Sequence, residues 1–419
     1  VGAVVSAFAD RFAAWANEPP PDAPPKDGPP GGHRGPRLRK EGDGAILAWE
    51  SPPALLDLDA TSADAAIAAG AVEIGGDPVV SGALTAPTEV HVALSARCPA
   101  PCTGCYQDAR PDGALTDRAA LDADLDALAA MGVFEIAVGG GEPMRSADLE
   151  GVVDGIVARG MVANVTTSGL GVTPARARWL AGRVGQVNVS IDGLAGAYDA
   201  VRGWAGADHA LAALRTLRAA GVAVAVNTVI SAANIEHLDA LGDVLAGEGI
   251  VDWHWIRFKP VGRGRDGALA PSPEQLDGLW ARLLALEART ALVIRVDCAL
   301  APFVLAAAPD LEAAAKLGVT GCAGGVSLWA RGTDGRFSPC SYAAGTPEAL
   351  VAGTAPRAAW RSDPVLLGWR ERATAPPGPC AACPAQALCR GGCRVVALAR
   401  TGDALAPDPD CPRVRAWAA

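Results

Sequence analysis

The chain has 419 residues, of which 50% are hydrophobic and 20% charged, with 49 glycines and 33 prolines. That supports one large domain with one or two smaller ones and excludes disorder along the whole length. Its 36 Lys and Arg against 46 Asp and Glu leave a net charge of −10, which excludes a bulk nucleic-acid binder. The first residues lack the basic start and apolar core of a signal peptide, and no apolar stretch is long enough to span a bilayer. The expectation is a cytoplasmic protein with neither a nucleic-acid nor a membrane partner.

Residues 1–17 pattern as a short helix around Phe8, Phe12 and Trp15. A Pro- and Gly-rich tract follows and ends in Arg34, Arg37, Arg39 and Lys40, so 1–44 reads as a flexible segment. Residues 45–88 read as a small module, with a strand at 45–49, an alanine-rich helix at 61–71 and a short apolar run at Val79 and Val80. From Glu89 the pattern becomes regular. Strands are expected at 90–95, 133–138, 162–167, 187–191, 222–230 and 253–258. Helices are expected between and after them, at 115–130, 147–159, 174–181, 207–220, 234–248 and 273–290. Six strands alternating with helices predict an α/β domain over 89–296 on a parallel sheet, either a partial barrel or an open doubly wound sheet. From 297 to 419, glycine, proline and cysteine take over.

The cysteines carry the chemistry. Cys98, Cys102 and Cys105 form C-P-A-P-C-T-G-C just beyond the first strand of the regular series. The remaining eight are Cys298, Cys322, Cys340, Cys380, Cys383, Cys389, Cys393 and Cys411. An odd total in a chain of this size points to metal ligation rather than a disulfide scaffold. Three thiolates on a compact loop can hold three irons of a 4Fe-4S cubane and leave the fourth open, whereas structural zinc wants a fourth protein ligand. The later field suits two multinuclear sites, with a two-zinc ribbon as the alternative. Gly335 lies in a T-D-G-R hairpin signal that brings the flanks of Cys322 and Cys340 together. Polar residues also follow successive strands: Gly139–Pro143, Thr166–Gly169, then Ser190, Asp192 and Gly193. A shared pocket at one end of a sheet requires that recurrence.

On these residues the chain resembles the radical S-adenosylmethionine (SAM) superfamily over about 89–290. The resemblance makes the fold a partial (β/α)6 barrel and assigns Cys98, Cys102 and Cys105 to the SAM-cleaving cluster. It implies that Gly140, Gly141, Glu142 and Pro143 meet the methionine amino group, with Ser190 and Arg202 near the carboxylate or ribose and Asn227 near the nucleoside. The position before the third cysteine is usually aromatic in the family; here it is Gly104, with Tyr106 after the cysteine instead. The C-terminal spacing resembles the SPASM extension of these enzymes. That resemblance implies two auxiliary 4Fe-4S clusters, three in all. Cys322, Cys340 and Cys393 hold the nearer and Cys380, Cys383, Cys389 and Cys411 the farther, with Cys298 either a fourth near ligand or a buried apolar cysteine. The implied activity is oxidative modification of a side chain in a ribosomally made precursor peptide. An electron donor such as flavodoxin or ferredoxin would serve it, and the 45–88 module is a candidate for leader-peptide recognition. The alternatives are a small metabolite or another protein such as a sulfatase. Sulfatase maturases carry an aspartate base after the cysteine matched by Cys340, and this chain has Ser341 there. Lys259, Arg263 and Arg265 are candidates to meet an acidic peptide or the nucleotide, a solvated loop being the alternative.

Overall fold

The computed structural model describes residues 35–50, 53–75, 83–308, 310–346 and 355–418. The helix expected in 1–17 and the run at Val79 and Val80 lie outside these residues.

A four-stranded sheet comes first, in the order β3-β2-β1-β4. Its strands are β1 Arg37–Glu41, β2 Gly44–Glu50, β3 Pro53–Asp59 and β4 Val72–Glu73. The helix Ala60–Ala68 packs on it, capped by the Asp59 carboxylate, which accepts from Ser62 N at 2.7 Å. The expected flexible segment 1–44 is therefore corrected at its end, because β1 is a strand with Arg37, Leu38 and Arg39 all buried. A basic run beside prolines reads as a solvated tail, but Arg39 turns inward. It pairs with Glu41 at 2.6 Å and donates to the carbonyls of Ala86, Pro87 and Gly132 at 2.8–2.9 Å. The guanidinium fastens the small sheet to the large one.

The large sheet has nine strands in the order β11-β10-β9-β8-β7-β6-β5-β12-β13. The expected six are β5 Glu89–Ser95, β6 Glu135–Gly140, β7 Val162–Thr167, β8 Gln186–Ser190, β9 Val224–Ile230 and β10 Asp252–Arg257. Each pairs in parallel with the next. Sequence order runs without reversal from β5 to β11 Val293–Val296, so the sheet winds one way as a barrel does, not outward from a switch point. It stays open because β11 and β5 do not pair.

Alternate strand residues such as Val90, Ile136, Val165 and Val187 are fully buried in the main core with helix residues Leu121, Leu125, Val152 and Leu214. The intervening positions are polar: Glu89, His91, Glu135, Asn164, Asn188 and His254. The helix Ala195–Arg202, absent from the expected series, follows β8. The expected helix 273–290 is broken at Gly278 into Pro273–Asp277 and Leu279–Arg289.

The cysteine-rich region is not separate from this sheet. Its strand β12 Leu328–Arg331 runs parallel to β5, with Ala330 opposite His91, and β13 Phe337–Ser338 returns antiparallel. Gly335 sits in the turn with φ +76°, as the hairpin signal requires.

Candidate functional site

The loop after β5 carries Cys98, Cys102 and Cys105. Backbone bonds shape it: Cys98 N donates to Arg110 O at 2.9 Å, and Cys105 N to Cys102 O at 3.3 Å. Arg263, considered for an external ligand, is used here instead. Its Nε donates to Cys102 O at 2.8 Å, its backbone N to Cys105 O at 2.9 Å, and its Nη1 to Ala109 O at 2.5 Å. Lys259 is likewise buried on Asp297 at 2.5 Å, while Arg265 stays exposed on Gly262 O. Burial pushes the Cys98 thiol up to about 11, reinforced by Glu142 and the two neighbouring cysteines. Such thiols become thiolates on binding a cation.

The glycine turn after β6 presses against the end of β5. Gly141 N donates to Ser95 O at 2.6 Å and Glu142 N to Arg97 O at 2.9 Å. A Cβ on Gly141 would stand 2.0 Å from Arg97 O, so only glycine allows this approach. Glu142 is 2% exposed and points inward. Its carboxylate accepts from Met144 N at 3.0 Å, Thr167 Oγ1 at 2.7 Å, Ser168 N at 2.8 Å and Ser168 Oγ at 2.5 Å. This side chain locks the β6 and β7 loops together. Pro143 starts the short 3-10 turn that follows.

Ser190 ends β8 opposite Asn227 of β9. The Asn227 Oδ1 is buried without a partner, as is Asn188 Oδ1. Orphaned acceptors at the barrel mouth fit the hydroxyl and amino donors of a nucleoside. Arg202, at the end of its helix, forms a 2.6 Å ion pair with Asp192 and lies 4.0 Å from Cys102 Sγ. Gly140 and Ser190 thus end their parallel strands on the side that carries the cysteine loop, Gly141 to Pro143 and Arg202 follow beyond those ends, and Asn227 lies mid-strand on β9.

The later cysteines divide into two sets. Cys380, Cys383, Cys389 and Cys411 line one partly open cavity, with Gly391 and Gly392 in its wall. Cys322, Cys340 and Cys393 belong to a second buried group with Ala299, Trp369 and Val396. Cys298 joins that set: its thiol hydrogen bonds Cys322 and is held well above the ordinary range by that bond and by burial, while the same bond holds Cys322 below it. Four sulfurs spread around a cavity fit a cubane, whose ligands sit on separate irons.

Two contacts were not foreseen from the sequence. Tyr106, next to Cys105, and Tyr342, two residues after Cys340, have ring centroids 4.5 Å apart. His91 Nδ1 lies 3.1 Å from Ser341 Oγ, joining the barrel interior to the Cys340 turn. These meetings depend on β12 pairing with β5, for which no local signal exists.

The radical SAM superfamily model matches residues 92–244. The PqqA peptide cyclase of Methylocella silvestris is 32% identical over 343 residues, 78% of this chain and 87% of the relative. The pre-heme d1 synthase of Dinoroseobacter shibae is 30% identical over 343 residues, covering 76% of this chain and 84% of the relative. Among solved structures, Streptococcus suis SuiB bound to its precursor peptide SuiA superposes with a TM-score of 0.72 at 17% identity, over 90% of this chain and 98% of that one. With its cysteine loop, glycine turn and one-way parallel sheet, this chain belongs to the radical SAM superfamily.

Proposed function

We propose that the chain is a radical SAM peptide maturase that oxidatively modifies a side chain of a ribosomally made precursor peptide. The observation that carries this reading is the grouping of eleven cysteines into one set of three beneath the SAM residues and two sets of four beyond them. When bound, SAM and the cluster of Cys98, Cys102 and Cys105 supply a 5′-deoxyadenosyl radical that abstracts a substrate hydrogen atom. The backbone carbonyls of Gly140 and Gly141 take the ammonium, Arg202 and Ser190 the carboxylate or ribose side, and Asn227 the nucleoside; Glu142 and Pro143 fix the turn. The two later sets would hold auxiliary clusters, making three 4Fe-4S clusters per chain, which would supply acceptors for the electron that an oxidised product gives up, with a flavodoxin or ferredoxin as the external partner. The likeness to the peptide cyclase and to a fold seen with a bound precursor peptide supports a peptide substrate over a small metabolite. The comparable identity to a pre-heme d1 synthase favours a second reading, a small-molecule oxidation using the same centres.

Replacing Cys98, Cys102 and Cys105 together with alanine should abolish deoxyadenosine formation under reducing anaerobic conditions while the auxiliary iron remains. Undiminished deoxyadenosine would sink the assignment. Conversion of a short peptide encoded beside the gene separates the two readings.

A further inference from the structure

Four buried cations in this protein meet carboxylates. Arg39, Arg257, Lys259 and Arg331 are each at most 5% exposed, and each lies within 2.6 Å of an acid: Glu41, Asp408, Asp297 and Asp124. Arg372 and Arg394, 4% and 1% exposed, meet no carboxylate among the described residues. Instead each lies against one of the two later cysteine sets.

Arg394 opens the helix Arg394–Thr401 directly after Cys393. Its Nη2 donates to Trp369 O at 2.5 Å, while Nε and Nη1 are buried without a hydrogen-bond partner. The charge lies beside Cys322 and favours that thiolate. Arg372 donates from Nε to Leu405 O at 2.6 Å and from Nη2 to Gly391 O at 3.0 Å, leaving Nη1 buried and unpartnered. Its charge lies beside Cys380 and Cys389. Gly391, at φ +85°, makes room for it, since a Cβ there would stand 1.8 Å from Nη1.

A guanidinium taken out of water without a counter-ion costs several kcal/mol, so an anion belongs at each place. Neutral thiols do not supply one. A cubane held by four thiolates does, and its negative charge grows by one when it takes up an electron. A fixed cation therefore stabilises the reduced level more than the oxidised level. We propose that Arg394 and Arg372 are the counter-charges of the near and far auxiliary clusters and raise the reduction potential of each. The inference rests on the three-cluster reading above. It gives both centres a bias toward accepting the single electron released when the substrate radical is oxidised; no bond or proton changes at either arginine.

The test is an EPR-monitored potentiometric titration of the anaerobically reconstituted full chain. The wild type is compared with Arg394→Gln, Arg372→Gln and the charge-keeping Arg→Lys variants, with iron counted in each. Each Gln variant should lower the midpoint of its own cluster by about 59 mV or more, a tenfold change in the one-electron equilibrium. The other auxiliary centre should move less, the Cys98–Cys105 centre should not move, and lysine should restore most of the shift. Loss of about four irons from one Gln variant, recovered in its Lys partner, equally supports a required counter-charge. Three clusters with unmoved midpoints, or iron lost alike from Gln and Lys variants, overturns the inference alone. A wild-type chain that binds only about four irons overturns the three-cluster reading and the inference with it.

Discussion

Arg202 Nε lies 2.6 Å from Asp192 Oδ2, and the same guanidinium reaches to 4.0 Å from Cys102 Sγ. Burial opposes its charge, but Asp192 and Cys102 more than compensate and hold it firmly cationic. Asp192 is itself fixed by accepting from Val229 N at 2.7 Å. The arginine is thus pre-positioned between the cysteine loop and the ends of two strands. Arg202→Ala should weaken SAM binding roughly ten- to hundredfold, as loss of a charge-assisted contact worth about 1.5–3 kcal/mol implies. Equilibrium binding to the metal-loaded protein checks it. Arg263→Ala should instead reduce iron at the Cys98–Cys105 loop, whose carbonyls it ties down.

Gly141→Ala forces a methyl group into Arg97 O and should cost at least ~1–3 kcal/mol by overpacking. Because Glu142 follows it and joins the β6 and β7 loops, SAM affinity should fall together with thermal stability. A variant with unchanged melting and unchanged SAM binding contradicts the packing described.

Removing the metal exposes a pH signature. Burial raises the folded-state thiol of Cys98 from 9.0 to about 11 and that of Cys340 to about 12. A raised thiol contributes stability that is present below the unfolded value and lost as pH climbs through the folded one. The metal-free chain should therefore weaken from about pH 9 upward into the 11–12 range, as followed by denaturant titration. Loading iron and sulfide at neutral pH should release protons, and the yield should rise with pH.

Arg257 on β10 binds Asp408 and Asp410 at 2.6 Å each, and Asp408 also accepts from Cys393 N at 3.2 Å. Arg257→Met strands a fully buried carboxylate, a change worth about 3–5 kcal/mol. The near auxiliary set should lose iron before the far one, which separate spectral signatures report.

Much of this was legible in the chain. Strands β5 to β10 announce themselves because β-branched and other apolar residues recur at alternate positions in short stretches between turns. The cysteine loop and glycine turn are contiguous in sequence and need no long-range information. The helix Ala195–Arg202 has eight residues with Gly196 in its first turn, too short a stretch to stand out from the loop after β8. Strand β12 is four residues, and its register is set by β5, more than two hundred positions away. The inward turn of Glu142 depends on where Thr167 and Ser168 arrive, and the solitary arginines 372 and 394 are visible only once burial is known.

The ladder between β5 and β12 has a mechanical consequence. The strand that leads into Cys98 and the hairpin that leads into Cys340 are neighbours in one sheet, held by backbone hydrogen bonds rather than by a linker. Electron tunnelling falls steeply with separation, and a hinge between centres would make its rate fluctuate with every swing. If the Cys98 loop and the near cysteine set hold clusters as proposed, the continuous pairing of β5 with β12 and of β12 with β13 would give the path between them a fixed length.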